Sequence, residues 1–399
     1  MRSGSSNPDE RREGKMVTAD RPDAERPDRP GGDAPRRYDV AIVGAGMAGA
    51  SLAAALAPHA RVVMIEAEAR PGYHATGRSA AFWQETYGGP AVQPLTAASG
   101  PWLDEQGFLS PRGALHIARA GEEGRLDALR HAFAAAGVVL EDRDRAGLEA
   151  LVPGLRAVWT AGLAEPSCRD IDVAGLHGFY LRAAARSGAD LCCDSPVVGL
   201  DWSGGRWTIT TKGDSIEAEV LVDAAGAWAD EVAALANARP VGIRPFRRTM
   251  VPLLVDPPAP AAMPLVEEIG GSFYFKPEAG GRIWLSPHDE SPSPPCDAAP
   301  EEIDVAIAID RLEQAVDWRI ARRERPWAGL RSFAPDRIPV YGFDPAVPGF
   351  FWCAGQGGFG IQTAPAAAKL AASLLLRATP DPMVAAVDPE PYLAARFAG

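Results

Sequence analysis

Residues 36–66, RRYDVAIVGAGMAGASLAAALAPHARVVMIE, constrain the fold more than any other stretch of the chain. Residues 38–43 form a short apolar run with β-branched content, the pattern of a buried strand. The run ends in Gly44-Ala45-Gly46-Met47-Ala48-Gly49, a G-x-G-x-x-G turn, and an alanine-rich helical segment follows to about Pro58. Residues 61–65 read as a second strand, closed by Glu66, which lies 66 − 46 = 20 residues beyond the second glycine. Gly44 permits the tight turn, Gly46 leaves room for a pyrophosphate at the backbone, and Gly49 lets helix and strand approach closely. The helix N-terminus offers free N–H groups and a partial positive charge to phosphates. Glu66 is placed to accept hydrogen bonds from ribose hydroxyls. This βαβ unit predicts dinucleotide binding.

At 399 residues the chain is long enough for two lobes. Its formal net charge of −12 argues against nucleic acid as a partner. Five cysteines without a C-x-x-C spacing suggest neither a disulfide framework nor a zinc site and fit a reducing compartment. The apolar stretch 366–376 contains Lys369 and is too short to span a bilayer, so no transmembrane segment is expected and a cytoplasmic location is the reading. Residues 1–36 hold eight basic residues, eight acidic residues and five prolines, a composition expected to stay disordered. Met16 is an alternative start.

Beyond Glu66, residues 67–89 form a loop rich in small residues, where the pyrophosphate and reactive ring of a dinucleotide should emerge. Helical patterns cover 95–107, 121–137 and 173–187, with Asp172 as an N-cap. Strands are expected at 113–118, 190–193, 197–202, 207–211 and 216–222. Residues 221–228, LVDAAGAW, end a strand in small residues that permit close approach of a ligand. From about 240 to 325 the chain becomes proline-rich, with strand-like runs at 248–255, 272–276 and 282–286 that predict an antiparallel sheet. Residues 303–320 read as one amphipathic helix. A strand at 349–353 leads into the glycine-rich loop 354–360 and a helix over 361–376, a second helix N-terminus suited to anionic charge.

Taken together, YDVAIVGAGMAGAS, RVVMIEAEARPGYHATGRSAA, DIDVAGLHGFYLR, LVDAAGAWAD, SFYFKPEAG, WAGLRSF and AGQGGFGIQT resemble the D-amino-acid oxidase/dehydrogenase (DAO) superfamily of FAD enzymes. The resemblance is nearest to bacterial dehydrogenases of the D-arginine dehydrogenase type and runs from Tyr38 to about Thr363. It implies a two-lobed α/β (α+β) fold: a Rossmann-like FAD-binding domain assembled from 37–95, 147–235 and 327–399, and a mixed or antiparallel-sheet substrate domain from 96–146 and 236–326. It implies non-covalent FAD held by Gly44, Gly46, Ala48 and Gly49, with Glu66 and Ala67 at the ribose and Val197 near the adenine. Thr76, Gly77, Arg78, Ser79, Ala80 and Ala81 would hold pyrophosphate and flavin, with Ala225, Gly226 and Trp228 alongside. Gly357, Gly358, Phe359, Gly360, Ile361 and Gln362 would line the pyrimidine end.

The activity so implied is oxidative deamination of a D-amino acid, with hydride leaving Cα for flavin N5. A carboxylate held in a dry site calls for a bidentate arginine partner. Arg331 in WAGLRSF and Arg247 in RPFRRTM match the family's carboxylate binders, Arg248 being assigned to the opposite face of an extended stretch. Tyr87 and Tyr274 match aromatic hydroxyls over the flavin. Two departures bear on the substrate. Ala114 stands where arginine-preferring relatives carry a glutamate, and Phe82 where they carry a histidine. Loss of that acid would leave a cationic substrate side chain buried without a partner, so apolar or aromatic side chains are expected. The alternatives are an oxidase of N-substituted glycine or another secondary amine, and a flavin-bound assembly protein with vestigial chemistry. The residues leave open whether oxygen or a quinone takes the electrons, and the oligomeric state.

Overall fold

A computed structural model of the chain describes residues 36–397. The disordered tail expected at the N-terminus therefore lies, apart from Arg36, outside the described residues.

The opening βαβ unit forms as its sequence dictates. The strand Arg36–Val43 is the parallel neighbour of both Val62–Ile65 and Ser215–Asp223, with Val43 opposite Ile65 on one side and Asp223 on the other. Together with Asp190–Cys192 and Phe350–Ala354 these make the parallel centre of an eight-stranded sheet. An antiparallel hairpin, Val197–Ser203 and Arg206–Thr211, extends one edge. Where both faces are covered, at Val62–Ile65 and over 40–43, the strands are apolar and buried at every position rather than alternating. Ile42, Leu52, Leu56, Val62 and Leu370 share a core on the side of the helices Met47–Leu56 and Ala364–Leu376. Trp207, Trp352, Phe350 and Val232 fill the other side. Each fully buried leucine contributes about 1.5–3 kcal/mol.

A second, mixed sheet of eleven strands stands beside the first. Its spine is the long strand Arg244–Asp256, antiparallel to both Trp327–Phe333 and Arg282–Ser286. The sheet continues through Tyr274–Glu278, Leu265–Glu268, Ala114–Arg119 and Trp159–Glu165. Thus Trp159–Glu165 and Trp327–Phe333, assigned by sequence to the nucleotide lobe, pair within the second sheet. The chain crosses between sheets at Gly355: Phe350–Ala354 lies in the first, and Gln356–Gly357 pairs with Ser332 and Phe333 of the second. This crossover sets the glycine-rich loop beside the strand that carries Arg331.

Asp172 caps the helix Val173–Arg186, accepting from the Gly175 amide at 2.9 Å. The helix expected over 303–320 is shorter, Glu302–Ala315, and Arg319–Arg323 is instead a strand on the long spine. Trp318 is why. It is buried against Phe275 and donates to the Pro153 carbonyl at 2.8 Å, a contact reached from an extended Val316 (φ −127°, ψ 163°) rather than another helical turn. The second glycine loop likewise runs on in turns to Thr363 before its helix begins at Ala364. Among the described residues no helix is long and apolar enough to cross a membrane.

Candidate active site

The G-x-G-x-x-G turn is packed too tightly for side chains at two of its three glycines. Gly44 sits at φ +98°, and a Cβ there would lie 2.5 Å from the Ala224 carbonyl oxygen. At Gly49 a Cβ would fall 1.9 Å from the Gly44 oxygen. Gly46 differs: its Cβ would meet only the Thr76 hydroxyl, at 3.3 Å, so its bareness serves the open space before it. That space is a cavity of about 490 Å³, within the range of small-molecule sites. Gly44, Gly46, Ala48, Glu66, Ala67 and Val197 line one part of it. Thr76, Arg78, Ser79 and Ala80, with Ala225, Gly226 and Trp228, line another. The Glu66 carboxylate stands at the rim and accepts from the amides of Ala45 (2.9 Å) and Glu68 (3.0 Å), which fixes its direction.

The cavity reaches the second sheet at Arg248, Met250, Tyr274 and Arg331. Strand register explains this convergence. Arg248 is opposite Gly329 and Phe246 opposite Arg331, so alternation sends Arg248, Met250 and Arg331 to one face. Arg248 is 4% exposed; its Nε donates to the Asp289 carbonyl at 2.8 Å and its Nη2 reaches Glu290 at 3.4 Å. The Asp289 carboxylate is itself occupied by the amide (2.8 Å) and hydroxyl (2.9 Å) of Thr249. Nη1 of Arg248 is buried with no hydrogen-bond partner. Burial, and then the charge of Arg331, push the Arg248 guanidinium below its ordinary range. Nη2 of Arg331 donates to the Tyr274 hydroxyl at 3.4 Å, and its guanidinium lies 5.6 Å from the centre of the Tyr87 ring. Gly358 admits both groups: a Cβ there would stand 2.1 Å from the Tyr87 hydroxyl and 3.0 Å from Arg331 Cζ. Burial pushes the Tyr87 hydroxyl up, against the pull of the two arginines, so it remains a proton donor at neutral pH. Two guanidinium groups and the Tyr274 phenol thus meet at the second-sheet end of a cavity whose first-sheet end suits a dinucleotide, with the Tyr87 hydroxyl close behind Gly358.

A family model described as FAD dependent oxidoreductase (DAO) matches residues 39–374. The chain belongs to that family. It is similar to the glycine oxidase of Geobacillus kaustophilus, 27% identical over 86% of this chain and 93% of that protein. It also resembles a D-amino acid dehydrogenase of Paramagnetospirillum magneticum, 26% identical over 65% of this chain and 61% of that one. The crystal structure of the Geobacillus kaustophilus glycine oxidase superposes with a TM-score of 0.78 at 24% identity, covering 90% and 99% of the two chains. The protein is an FAD-dependent oxidoreductase, and its bare-backbone cradle, rim carboxylate and cavity fit that cofactor.

Several residues named from sequence are engaged by other protein groups. Arg247 is turned away from the cavity and pairs with Glu301 and with Asp304 (2.9 Å) on the helix Glu302–Ala315; its neighbour Arg248 lines the cavity instead. The Arg78 guanidinium binds Asp297 and the carbonyls of Ala298 (2.8 Å) and Ala328 (3.2 Å), so its charge is already engaged. Gly77 does not line the cavity; its amide closes a turn onto Gly72 at 2.9 Å. Phe359 packs on Val92 and Phe333 instead of facing the cofactor cavity, and the Gln362 amide is bound to protein groups. Phe82, Ala81, Tyr87 and Arg331 border a separate pocket of about 20 Å³. Ala114 is buried beneath it with Phe82, Met250 and Tyr274.

His288 had no sequence signal. It stacks edge-on to Tyr274 (5.5 Å), at φ 52°, and its Nδ1 donates to the Gly271 carbonyl at 2.7 Å. Burial, then repulsion from Arg248 and Arg331, pull its pKa down from 6.5 to about 3. Below pH 6.5 the unfolded chain takes up a proton that folded His288 refuses until about pH 3, so this group's stabilisation is lost as pH falls through that window. The H288N variant, whose asparagine tolerates the left-handed backbone, should lose stability more gently than wild type over that acid range in thermal melts.

Proposed function

We propose that the protein oxidises an amino acid, holding its carboxylate between Arg248 and Arg331. The observation that carries this reading is the unpartnered Nη1 of buried Arg248 beside Arg331, which among the described residues forms no ion pair. Two cations sharing a desolvated pocket are costly without an anion, and a carboxylate supplies one with matching fork geometry. FAD, when bound, supplies the hydride acceptor. The protein's own part is positioning and electrostatics. The arginines fix the acid end, the Tyr274 and Tyr87 hydroxyls donate to it, and Met250 and Phe82 exclude water around the reacting carbon.

The substrate we infer is a D-amino acid with an apolar side chain. Among the relatives is a D-amino acid dehydrogenase, and Ala114 is packed with Phe82, Met250 and Tyr274, while the carboxylate opposite it in the sheet, Glu165, is already taken up by the amides of Glu85 and Thr86 and the side chains of Thr86 and Gln84. A second reading, an N-substituted glycine or glycine itself, draws on the small volume, about 20 Å³, enclosed by Phe82, Tyr87 and Arg331. Anaerobic addition of D-leucine, D-phenylalanine, D-arginine, glycine and N-methylglycine to the yellow holoenzyme separates these. Bleaching by the apolar D-amino acids is expected. Preference for D-arginine would overturn the use made of Ala114, and no bleaching by any of them would overturn the reading itself.

A further inference from the structure

Tyr87 sits on a turn, 84–88, that belongs to no sheet, yet its hydroxyl must be set to within a fraction of an ångström to meet a substrate held by Arg331. What fixes the turn comes from two distant parts of the chain. Glu165, fully buried at the end of Trp159–Glu165, approaches from the second sheet. One of its oxygens accepts from the amides of Glu85 (2.8 Å) and Thr86 (3.3 Å), the other from the Thr86 hydroxyl (2.6 Å) and Gln84 Nε2 (3.2 Å). Gln362, 1% exposed, approaches from the glycine-rich loop. Its Nε2 donates to the carbonyls of Gln84 (3.2 Å) and Tyr87 (3.1 Å) and to Thr96 Oγ1 (2.9 Å), while its Oε1 accepts from the Gln84 amide at 3.2 Å.

We propose that Glu165 and Gln362 are positioning residues, a two-sided clamp that holds the 84–88 turn so that the Tyr87 hydroxyl stays beside Arg331. The functional half of this inference rests on Tyr87 meeting the substrate as proposed above; the structural half does not. Buried polar groups that are fully paired rigidify the segment they bind, whereas a half-paired set loosens it. Glu165 is kept charged for this task by His116, whose Nε2 lies 3.5 Å away; His116 Nδ1 in turn faces Glu267 at 3.5 Å. Burial works against a charged His116, but the two carboxylates outweigh it and raise its pKa. Gln362 also gives the clamp a reach into the cofactor side, because its neighbours Gly360 and Ile361 line the main cavity.

The test combines amide hydrogen exchange and kinetics on the FAD-loaded protein, with Q362L, E165Q, E165L and Y87F. Exchange across 84–92 should accelerate about tenfold or more in Q362L and E165L, less in E165Q, which keeps an acceptor for the two amides. FAD content should stay at the wild-type level. KM should rise about tenfold in Q362L and E165L, with kcat changed much less, and adding Y87F to Q362L should raise it little further, since both act through one hydroxyl. Unchanged exchange at 84–92, or KM effects of Q362L and Y87F that multiply, would overturn the clamp. Should E165L fail to fold, Q362L and E165Q carry the same readouts. If no amino acid is turned over, the proposed function falls while the exchange measurement still decides whether the turn is clamped.

Discussion

Replacing Arg331 with methionine should lower kcat/KM for the amino-acid substrate by about 10²- to 10³-fold, the usual cost of removing one partner of a buried, hydrogen-bonded charge pair. Methionine keeps the length of the side chain and removes the fork proposed to hold the carboxylate. Arg248 alone would then face the substrate, already tied through Nε to Asp289 and with only Nη1 free. FAD content should be unchanged, since the methionine meets the glycine at 358 and the Tyr87 ring as an apolar group does. R247M is the matched control. Its partners, Glu301 and Asp304, lie on the far side of the strand, so it should cost some stability and change kcat/KM by no more than about threefold, as substitutions outside a site do. Steady-state kinetics and melting curves on the two variants decide the matter. An R247M enzyme as damaged catalytically as R331M would reverse the assignment of faces.

The confusion between Arg247 and Arg248 shows where a single sequence stops being informative. Alternation along an extended stretch divides the two arginines between opposite faces, and that much is legible in RPFRRTM. Which face is inward depends on the neighbour across the sheet, here the pairing of Arg248 with Gly329, and no local pattern encodes it. The βαβ unit was legible because its glycines, helix and acid lie within one short segment and each has a local steric or electrostatic reason. Asp172 was legible for the same reason, as an N-cap immediately before its helix. The helix expected to reach residue 320 failed because burial of Trp318 against Phe275, a contact between distant segments, outweighed helical periodicity. Glu165 and His288 carried no signal at all, and Gln362 was expected at the cofactor, not on the 84–88 turn. Each acts through partners tens to hundreds of residues away, and a buried glutamate or a neutral histidine is indistinguishable in sequence from an exposed one.

The cradle itself yields the other large effect. Gly49→Ala places a methyl 1.9 Å from the carbonyl oxygen of Gly44, a backbone atom with no freedom to rotate aside. The helix Met47–Leu56 must retreat from its strand, loosening the packing of Leu52 and Leu56, and about 2–3 kcal/mol of apoprotein stability should be lost. Gly46→Ala makes the opposite case. Gly46 has φ −70°, which any residue adopts, and its new methyl would touch only the Thr76 hydroxyl at 3.3 Å. Apoprotein stability should therefore change by no more than about 0.5 kcal/mol. The methyl would nevertheless stand in the cavity, at the turn expected to meet the cofactor's phosphates, and FAD affinity should fall about tenfold or more. Thermal melts of the apoproteins and titration with FAD separate the two variants. Equal losses of apoprotein stability would mean that Gly46, like Gly49, is there for packing, and the turn would no longer count as a surface kept bare for a ligand.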